Sequence, residues 1–540
     1  MAMPSDTPAP MKAAGPVRDC MMTTVGCSAI AGVASAIRAA PVAAIIRFID
    51  SSLVFFGTFM IFISPVKYIF DLGAPGCVRG FLRAGYTVRL DFPCLSGISL
   101  ESWRSIAYVK LLFRIFILRC SRGSVLVGED AFPARPAGIA FSSGGPMQRS
   151  HHHAVVIVGA GQAACQLAIS LRQKDYPGPI VLVGDEPFLP YSRPPLSKTY
   201  FNEGEPQRLL LRKAEFYEMN DITVLTSSRV ERIERAGRAV VLSDGRRLGY
   251  GQLVLATGAR NRLPPVEGAD LPGVMALRGL DDADRMRSLA AAARHVVIVG
   301  GGFIGLEAAA VFRAAGLRVT LLEAAGRLMA RAVSPAVSDH FLRAHRDAGA
   351  EIHLGVTVRR ILARPDGAAG AVELADGRTI AADAVLMATG VVPNAELARE
   401  AGLAVDNGIL ADCFLATSDP AISAIGDCAA VAQGPGGPHL RLESVQAAVD
   451  QAKCLAERLA GQPVPFARTP WFWSDQGPHK LQIAGLRDGA DRTEIEPLPD
   501  PARLLVRSYR GERLVCVETV NLPAEHMRAR RALETEAAAA

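Results

Sequence analysis

A strand, a glycine-rich turn and a helix occur twice in this 540-residue chain, about 140 residues apart, and this repeat constrains the fold most. The first copy begins with the apolar run AVVIV at 154–158, and the second begins with HVVIV at 295–299. The small residues of the two turns are Gly159, Gly161 and Ala164 in the first copy and Gly300, Gly302 and Gly305 in the second. The first glycine permits the tight turn, the second lets a pyrophosphate approach the backbone, and the third position lets the helix pack on the strand. Two such units predict an α/β protein with two doubly wound, Rossmann-like folds, each binding a dinucleotide at a helix N-terminus.

Each copy is followed by a second strand that ends in an acidic residue. PIVLVG leads into Asp185 and Glu186, and LRVTLLE ends at Glu323. A carboxylate at this point can accept hydrogen bonds from an adenosine ribose, and we prefer Asp185 for that role in the first copy. In the second copy, Glu323 would bond a free 2′-hydroxyl and repel a 2′-phosphate, which predicts a preference for NAD over NADP. Arg327 is the nearby cation that could weaken this preference.

Composition separates residues 1–146 from the rest of the chain. This leader holds 14 Lys and Arg against 8 Asp and Glu, whereas residues 147–540 hold 45 of each sign. The neutral body gives no electrostatic footprint for nucleic acid. The leader contains an uncharged stretch at 51–66, which is short for a membrane span, and an apolar stretch with interspersed cations at 108–120. Three interpretations stay open: a membrane anchor, a disordered appendage, or sequence upstream of a true start at Met147, which we favour.

The ten cysteines divide evenly between the leader and the body, and none has the spacing of a metal site. We therefore expect no metal, and we expect scattered buried thiols in a reducing cytoplasm. A short tract, His151 to His153, could bind a metal but has no partner ligands beside it.

Six further motifs carry a family resemblance. They are LPYSRPPLSKTYF (189–201), LVLATGAR (253–260), AVLMATGVVPN (384–394), AISAIGDCAA (421–430), RLESVQAAVDQAK (441–453) and WFWSDQGPHKLQIAG (471–485). Together with the two glycine turns, they resemble the flavoprotein reductases with two dinucleotide folds, and within these the ferredoxin and rubredoxin reductase family. The resemblance covers about 152–531. It implies FAD at the first site, NADH at the second, and a 2Fe–2S ferredoxin or rubredoxin that receives single electrons for an oxygenase.

The resemblance also implies a domain organisation. The FAD-binding domain is discontinuous and comprises 147–259 and 391–468, and the NAD-binding domain is 260–390. A small α+β domain follows at 469–540. We expect a cytoplasmic enzyme, with membrane association only if the leader belongs to the protein.

The site residues follow from the same resemblance. Lys198 would lie near the reactive edge of the flavin and pair with Glu307, which would tune the flavin potential. Glu443 would stand at the start of a helix whose N-terminus faces the flavin. Either Trp471 or Trp473 would lie against the isoalloxazine. The remaining expected FAD contacts are Arg193 near phosphate, Thr257 and Gly258 along the cleft, and Asp427 at the ribityl chain.

Two rival functions stay open. One is a redox or signalling flavoprotein similar to apoptosis-inducing factor, which shares the lysine and glutamate motifs. The other is an NADH oxidase or peroxidase, which is disfavoured because no cysteine occurs between Cys165 and Cys413. The arginines of the last helix, Arg528, Arg530 and Arg531, would either meet an acidic ferredoxin or form a solvated face.

Overall fold

The computed structural model describes four strands between residues 58 and 91 and the continuous segment 154–539. The four strands pair antiparallel in chain order and are Thr58–Ile63, Val66–Ala74, Cys77–Leu82 and Thr87–Asp91. The apolar stretch at 51–66 thus contributes a strand, whereas Met147, the histidine tract and the stretch at 108–120 lie outside the described residues. Among the described residues, no helix is both long and apolar enough to cross a membrane.

From residue 154 onward, helices surround three principal sheets. The α-helices of this segment, numbered in chain order, are α1 (Gln162–Gln173), α2 (Thr199–Glu203), α3 (Ala214–Met219), α4 (Leu280–Ala292), α5 (Phe303–Ala314), α6 (Pro335–Asp347), α7 (Glu396–Glu400), α8 (Val445–Leu459) and α9 (Pro523–Ala539). Short 3₁₀ turns span Pro194–Ser197, Pro206–Leu209 and Gly426–Cys428.

Sheet A has five parallel strands and contains the first glycine turn. Its spatial order is Ile422–Ala424, Gln252–Leu255, Val155–Val158, Ile180–Val183 and Ile222–Leu225. The central strand is buried along its whole length, as expected when helices cover both faces of a parallel sheet. The last strand of the sheet in sequence, Ile422–Ala424, lies far along the chain, so the chain leaves sheet A and returns to it.

Sheet B repeats this parallel arrangement around the second glycine turn. Its spatial order is Val274–Met275, Ala384–Met387, His295–Val299, Arg318–Glu323 and Glu351–Leu354. The antiparallel pair Ala259–Asn261 and Val391–Pro393 occurs where the chain passes between sheets A and B.

Sheet C is antiparallel and lies at the C-terminal end of the sequence. Its spatial order is Trp471–Gln476, His479–Gly485, Arg513–Val520, Leu504–Arg510 and Arg492–Glu496. Helix α9 packs against the second and third of these strands through Ala529 and Leu533. On its other side, sheet C shares one buried apolar cluster with sheet B, which includes Leu481, Val506 and Phe312.

Three smaller antiparallel or mixed sheets complete the segment. They comprise Val230–Glu234, Ala239–Leu242 and Arg247–Gly249; Val358–Ala363, Ala369–Leu374 and Thr379–Ala381; and Val405–Asp406, Gly408–Ala411, Ala429–Ala432 and His439–Arg441. The predicted fold class is confirmed: two doubly wound parallel units are followed by a small α+β unit. The domain boundaries proposed from the sequence stay predictions.

Candidate functional site

A cavity of about 450 Å³ lies at the carboxyl ends of the sheet A strands. The predicted site residues that line it are Gly159, Gly161, Asp185, Arg193, Lys198, Thr257, Gly258, Glu307, Asp427, Glu443 and Trp473. The loops after parallel strands meet at one edge of a sheet, which is where open α/β sheets bind ligands. The structure therefore brings together residues that are up to 314 positions apart in sequence, from Gly159 to Trp473.

The first glycine of each turn has no room for a side chain. A Cβ on Gly159 would lie 2.2 Å from the carbonyl oxygen of Ala256, and a Cβ on Gly300 would lie 2.3 Å from that of Ala388. Both glycines also have positive φ, +110° and +113°. Ala256 and Ala388 begin the two ATG motifs, so each ATG motif packs directly against a glycine turn.

The second glycine of each turn has open space in front of it. A Cβ on Gly161 or Gly302 would meet no atom within 4 Å, and these glycines precede the first residues of α1 and α5. Backbone N–H groups at a helix N-terminus with open space before them fit a pyrophosphate. The residues present thus fit the predicted dinucleotides.

The third small position lies beneath each turn and not on the cavity wall. Ala164 is fully buried, and a Cβ on Gly305 would lie 2.2 Å from the carbonyl oxygen of Gly300. These two residues therefore allow each helix to approach its strand, which is the role expected for this position.

The two acidic residues after the second strand of sheet A have different surroundings. Glu186 accepts hydrogen bonds from the Tyr191 hydroxyl at 2.6 Å and from the Arg193 guanidinium. Burial raises the pKa of Tyr191, so its hydroxyl remains a donor. Asp185 is exposed on the cavity wall and has no hydrogen-bond or ion-pair partner among the described residues. Its carboxylate is the one available to a ligand. Arg193 lines the cavity, but it also donates to the Arg278 carbonyl at 2.8 Å.

Glu323 holds the second glycine turn. One carboxylate oxygen accepts from the Gly301 N–H at 2.6 Å, and the other accepts from the Ala325 N–H at 2.7 Å. Arg327 donates instead to the carbonyls of Val333 and Ala330 and, at 3.0 Å, to the Ser338 hydroxyl. Its guanidinium is thus bound to protein acceptors and does not neutralise Glu323.

Lys198 and Glu307 form the ion pair that the family resemblance implied. Lys198 Nζ lies 2.8 Å from Glu307 Oε2 and donates to the Pro194 carbonyl at 3.1 Å. Glu307 is 5% exposed, and the hydroxyls of Ser197 and Ser474 donate to its two oxygens at 2.6 and 2.7 Å. The buried carboxylate therefore has three donors, as a buried charge requires.

The N-terminus of α8 opens into the cavity. Ser444 caps this helix by accepting from the Ala447 N–H at 3.0 Å, and both Ser444 and Val445 line the cavity wall. The partial positive charge of the N-terminus favours an anion in the cavity. Glu443 also lines the wall and pairs with Arg441 at 2.7 Å.

The two tryptophans occupy different environments. Trp473 lines the cavity together with Phe472, which packs against Phe303 at 4.5 Å between ring centroids. Trp471 lies outside the cavity lining and contacts His526, at 5.6 Å between centroids, and the Arg530 guanidinium, 4.4 Å from its ring. The geometry thus favours Trp473 over Trp471 as the residue beside a bound ring.

Sequence reasoning missed several residues of the site. Arg278 pairs with Asp427 at 2.9 Å across 149 positions, and it stands in no recognised motif. Ser197 and Ser474 lie inside two of the quoted motifs, but only the fold shows that both donate to Glu307.

The five cysteines of the segment 154–539 are buried and free, and none lines the cavity. Cys165 lies 3.4 Å from the Tyr217 hydroxyl, and burial raises the pKa of its thiol. A raised pKa disfavours the reactive thiolate. No cluster of metal-ligating side chains occurs in the part of the chain that the structure describes.

Comparison with known proteins gives the family. Residues 153–452 match the pyridine nucleotide-disulphide oxidoreductase family, and residues 471–540 match the reductase C-terminal family. Rhodocoxin reductase from Rhodococcus erythropolis is 48% identical over 384 residues, which is 71% of this chain and 90% of the relative. Putidaredoxin reductase from Pseudomonas putida is 40% identical over 376 residues, 69% of this chain and 89% of the relative.

Solved structures agree with these relatives. A ferredoxin reductase from Rhodopseudomonas palustris has a TM-score of 0.68 at 45% identity and covers 69% of this chain and 93% of its own. The reductase in the covalent putidaredoxin reductase–putidaredoxin complex has a TM-score of 0.69 at 38% identity, with coverage of 71% and 93%. The chain therefore belongs to the pyridine nucleotide-disulphide oxidoreductase family and is an oxidoreductase of its ferredoxin and rubredoxin reductase branch.

Proposed function

We propose that this protein binds FAD in the cavity, takes hydride from NADH and passes single electrons to a 2Fe–2S ferredoxin or rubredoxin that serves an oxygenase. The observation that carries the proposal is the cavity itself, which joins an open glycine turn to the Lys198–Glu307 pair. FAD, when bound, supplies the chemistry that connects a two-electron donor to a one-electron acceptor.

The chain's own residues would bind and orient the cofactor. Gly161 and the N-terminus of α1 would hold its pyrophosphate, and Asp185 would accept hydrogen bonds from its ribose. Asp427, fixed by Arg278, would bond its ribityl chain. The N-terminus of α8 would stabilise negative charge on the ring system, and Lys198 would add a positive charge nearby. Trp473 and Phe472 would limit the access of water to the ring.

The second glycine turn supports NADH as the electron donor. The Glu323 carboxylate is held at this turn by the Gly301 and Ala325 N–H groups, where it would repel a 2′-phosphate, and Arg327 is occupied by protein acceptors. Because a carboxylate and a phosphate repel each other, we propose that NADPH is a poor substrate.

The names of relatives support the kind of acceptor. One solved structure is a covalent complex of putidaredoxin reductase with putidaredoxin, and a rubredoxin reductase from Pseudomonas putida is 38% identical. The arginines of α9 add little support, because Arg528 pairs with Glu525 and Arg530 packs on Trp471. The free cysteines fit a reducing compartment, so we place the reaction in the cytoplasm.

A stopped-flow experiment on the FAD-loaded protein tests the proposal. NADH should bleach the flavin absorbance rapidly, and NADPH should do so far more slowly. The reduced protein should then reduce a 2Fe–2S ferredoxin or a rubredoxin. Flavin that stays oxidised with NADH, or a reduced protein that transfers no electrons to any such acceptor, would refute the proposal. Rapid reaction of the reduced protein with oxygen alone would favour an oxidase. Slow turnover with a long-lived complex and DNA binding would favour a signalling role.

A further inference from the structure

A row of hydrogen bonds leads from Glu307 away from the cavity. The Ser474 hydroxyl donates to Glu307 Oε1 at 2.7 Å, and Gln476 Nε2 donates to the Ser474 oxygen at 3.2 Å. His345 Nε2 lies 2.9 Å from Gln476 Oε1. Ser474, Gln476 and His345 are 0%, 2% and 4% exposed, so water does not compete for these bonds. None of the three side chains lines the cavity itself.

The row has one direction. An amide oxygen only accepts, so His345 must carry its hydrogen on Nε2 and donate to Gln476. Burial lowers the pKa of His345, which keeps the ring neutral with a single N–H. With its oxygen fixed, Gln476 must present its NH₂ group to Ser474, and the Ser474 hydrogen is then left to point at Glu307. Every donor in the row therefore points toward the Glu307 carboxylate.

The same amide also touches the segment behind the second glycine turn. Gln476 Nε2 lies 3.6 Å from the Met329 sulfur, a weak acceptor that agrees with the assigned orientation of the amide. The Met329 N–H donates to the Gly301 carbonyl at 2.9 Å. Gln476 thus contacts both Ser474, which donates to Glu307, and Met329, which bonds the turn where NADH would bind.

We infer that Gln476, oriented by His345, is a positioning residue for the Lys198–Glu307 pair. It forces the Ser474 hydroxyl to donate to Glu307, and this fixes the carboxylate that in turn fixes the Lys198 ammonium. The inference rests on the proposed function, since it matters for the reaction only if Lys198 faces bound FAD. Removal of a residue that supports a metal ligand typically lowers affinity or activity by about 10–100-fold, and we take the lower end of that range for the removal of Gln476.

The glutamate variant gives a signature that a merely structural role would not produce. A protonated carboxyl at position 476 can accept from His345 and donate to Ser474, as the amide does, whereas an ionised carboxylate cannot donate. The titratable groups around this position are Lys198, Glu307, His345 and His479, and burial lowers the pKa of both histidines, so both stay neutral. Gln476→Glu should therefore behave like the wild type at low pH and lose function as the pH rises.

The experiment compares four variants of the FAD-loaded protein with the wild type and with Lys198→Met. They are Gln476→Met, Gln476→Glu, His345→Phe and His340→Phe. His340 is the matched control, because it lies on the same helix and is 6% exposed, but it bonds His479 at 3.2 Å and not the row. The readouts are the rate of flavin reduction by NADH, the midpoint potential of the flavin determined with a dye and a chemical reductant, and the Kd for FAD, each from about pH 6 to 9.

We expect Gln476→Met and His345→Phe to slow flavin reduction by about tenfold and to make the midpoint potential more negative, because the Ser474 hydroxyl is then no longer held in position to donate to Glu307. His340→Phe should change neither, and Gln476→Glu should recover both at the acidic end of the range. Wild-type rates and potentials in Gln476→Met, or an absence of pH recovery in Gln476→Glu, would overturn the inference.

The two proposals fail separately. If NADH reduces the wild type and Lys198→Met alters reduction while the Gln476 variants do not, only the positioning role is wrong. If NADH does not reduce the wild type, both proposals are wrong. If Gln476→Met does not fold, the pH series of Gln476→Glu alone decides.

Discussion

The Lys198–Glu307 pair should respond asymmetrically to the removal of its two partners. Lys198→Met leaves a buried carboxylate without its countercharge, and breaking a buried pair in this way costs about 3–5 kcal/mol. The hydroxyls of Ser197 and Ser474 remain on the carboxylate at 2.6 and 2.7 Å and offset part of that loss. We therefore expect Lys198→Met to lower the free energy of unfolding by a value near the lower end of this range, about 3 kcal/mol.

Glu307→Gln should cost less, about 1 kcal/mol. The amide keeps an oxygen for one serine, and Lys198 keeps the Pro194 carbonyl at 3.1 Å. The Lys198 side chain is also more accessible than the Glu307 side chain, at 18% against 7% exposed when side-chain atoms alone are counted, so its charge can be solvated more readily. The double variant Lys198→Met with Glu307→Gln removes both charges and should lie near Glu307→Gln, which gives a coupling energy of about 3 kcal/mol.

Urea unfolding of the four proteins, each saturated with FAD and followed by flavin release and by circular dichroism, measures this cycle. The urea midpoint of Lys198→Met should fall well below that of Glu307→Gln. Lys198→Ala with Ser474→Ala is a useful further comparison, because it removes a second donor from the same carboxylate and should be more destabilised still. Equal losses for Lys198→Met and Glu307→Gln would refute the reasoning, since they would mean that the carboxylate is not the costlier charge to leave unpaired.

Three further predictions concern other parts of the molecule. Burial lowers the pKa of His340 and of His526 to about 4, below the ordinary value of 6.5. Between these two pH values the unfolded state therefore binds more protons than the folded state. The free energy of unfolding should be highest above pH 6.5 and should fall as the pH falls toward 4. Urea unfolding at pH 7 and at pH 5 measures this loss. In His526→Phe, the decrease in the free energy of unfolding between these two pH values should be smaller than in the wild type by about 2 kcal/mol. An unchanged decrease would mean that His526 does not cause the loss. Glu323→Gln should raise the ratio of kcat/KM for NADPH over NADH by about tenfold or more in steady-state assays, and an unchanged ratio would show that Glu323 does not select the cofactor. Gly302→Val should fold normally, because its Cβ enters open space, but its side chain should raise the KM for NADH by occupying that space. Gly300→Ala should lower the melting temperature, because its Cβ would lie 2.3 Å from a carbonyl oxygen. A stable Gly300→Ala protein together with a destabilised Gly302→Val protein would contradict the geometry.

The parts of the molecule that the sequence predicted well are those fixed by local chemistry. The glycine turns need particular residues at adjacent positions, since Gly159 must adopt positive φ and leave room for Ala256. The helix predicted after the first turn is α1, which begins at Gln162, directly after Gly161. The strand before it is a continuous apolar run, which is typical of a strand buried on both faces.

The parts that sequence reasoning missed depend on contacts between distant segments. Arg278 reaches Asp427 only because the chain leaves sheet A, builds sheet B and returns. A lone arginine before a helix carries no signal of such a partner, because exposed arginines are common and most pair with nothing specific. The choice between Asp185 and Glu186 was equally hidden, since it depends on where Arg193 and Tyr191 lie.

The strand Trp471–Gln476 shows how one element of sheet C can serve the site in two ways. Successive side chains of a strand point to opposite faces, so Phe472, Ser474 and Gln476 share one face and Trp471 and Trp473 share the other. The first face supplies the hydroxyl that binds Glu307 and the amide behind it. The second places Trp473 at the cavity and Trp471 against His526 of α9. A register shift of one residue would exchange these faces, which would move Trp473 from its place at the cavity and the Ser474 hydroxyl away from Glu307. The pairing of this strand with His479–Gly485, which fixes its register, is therefore part of the site and not only of the fold.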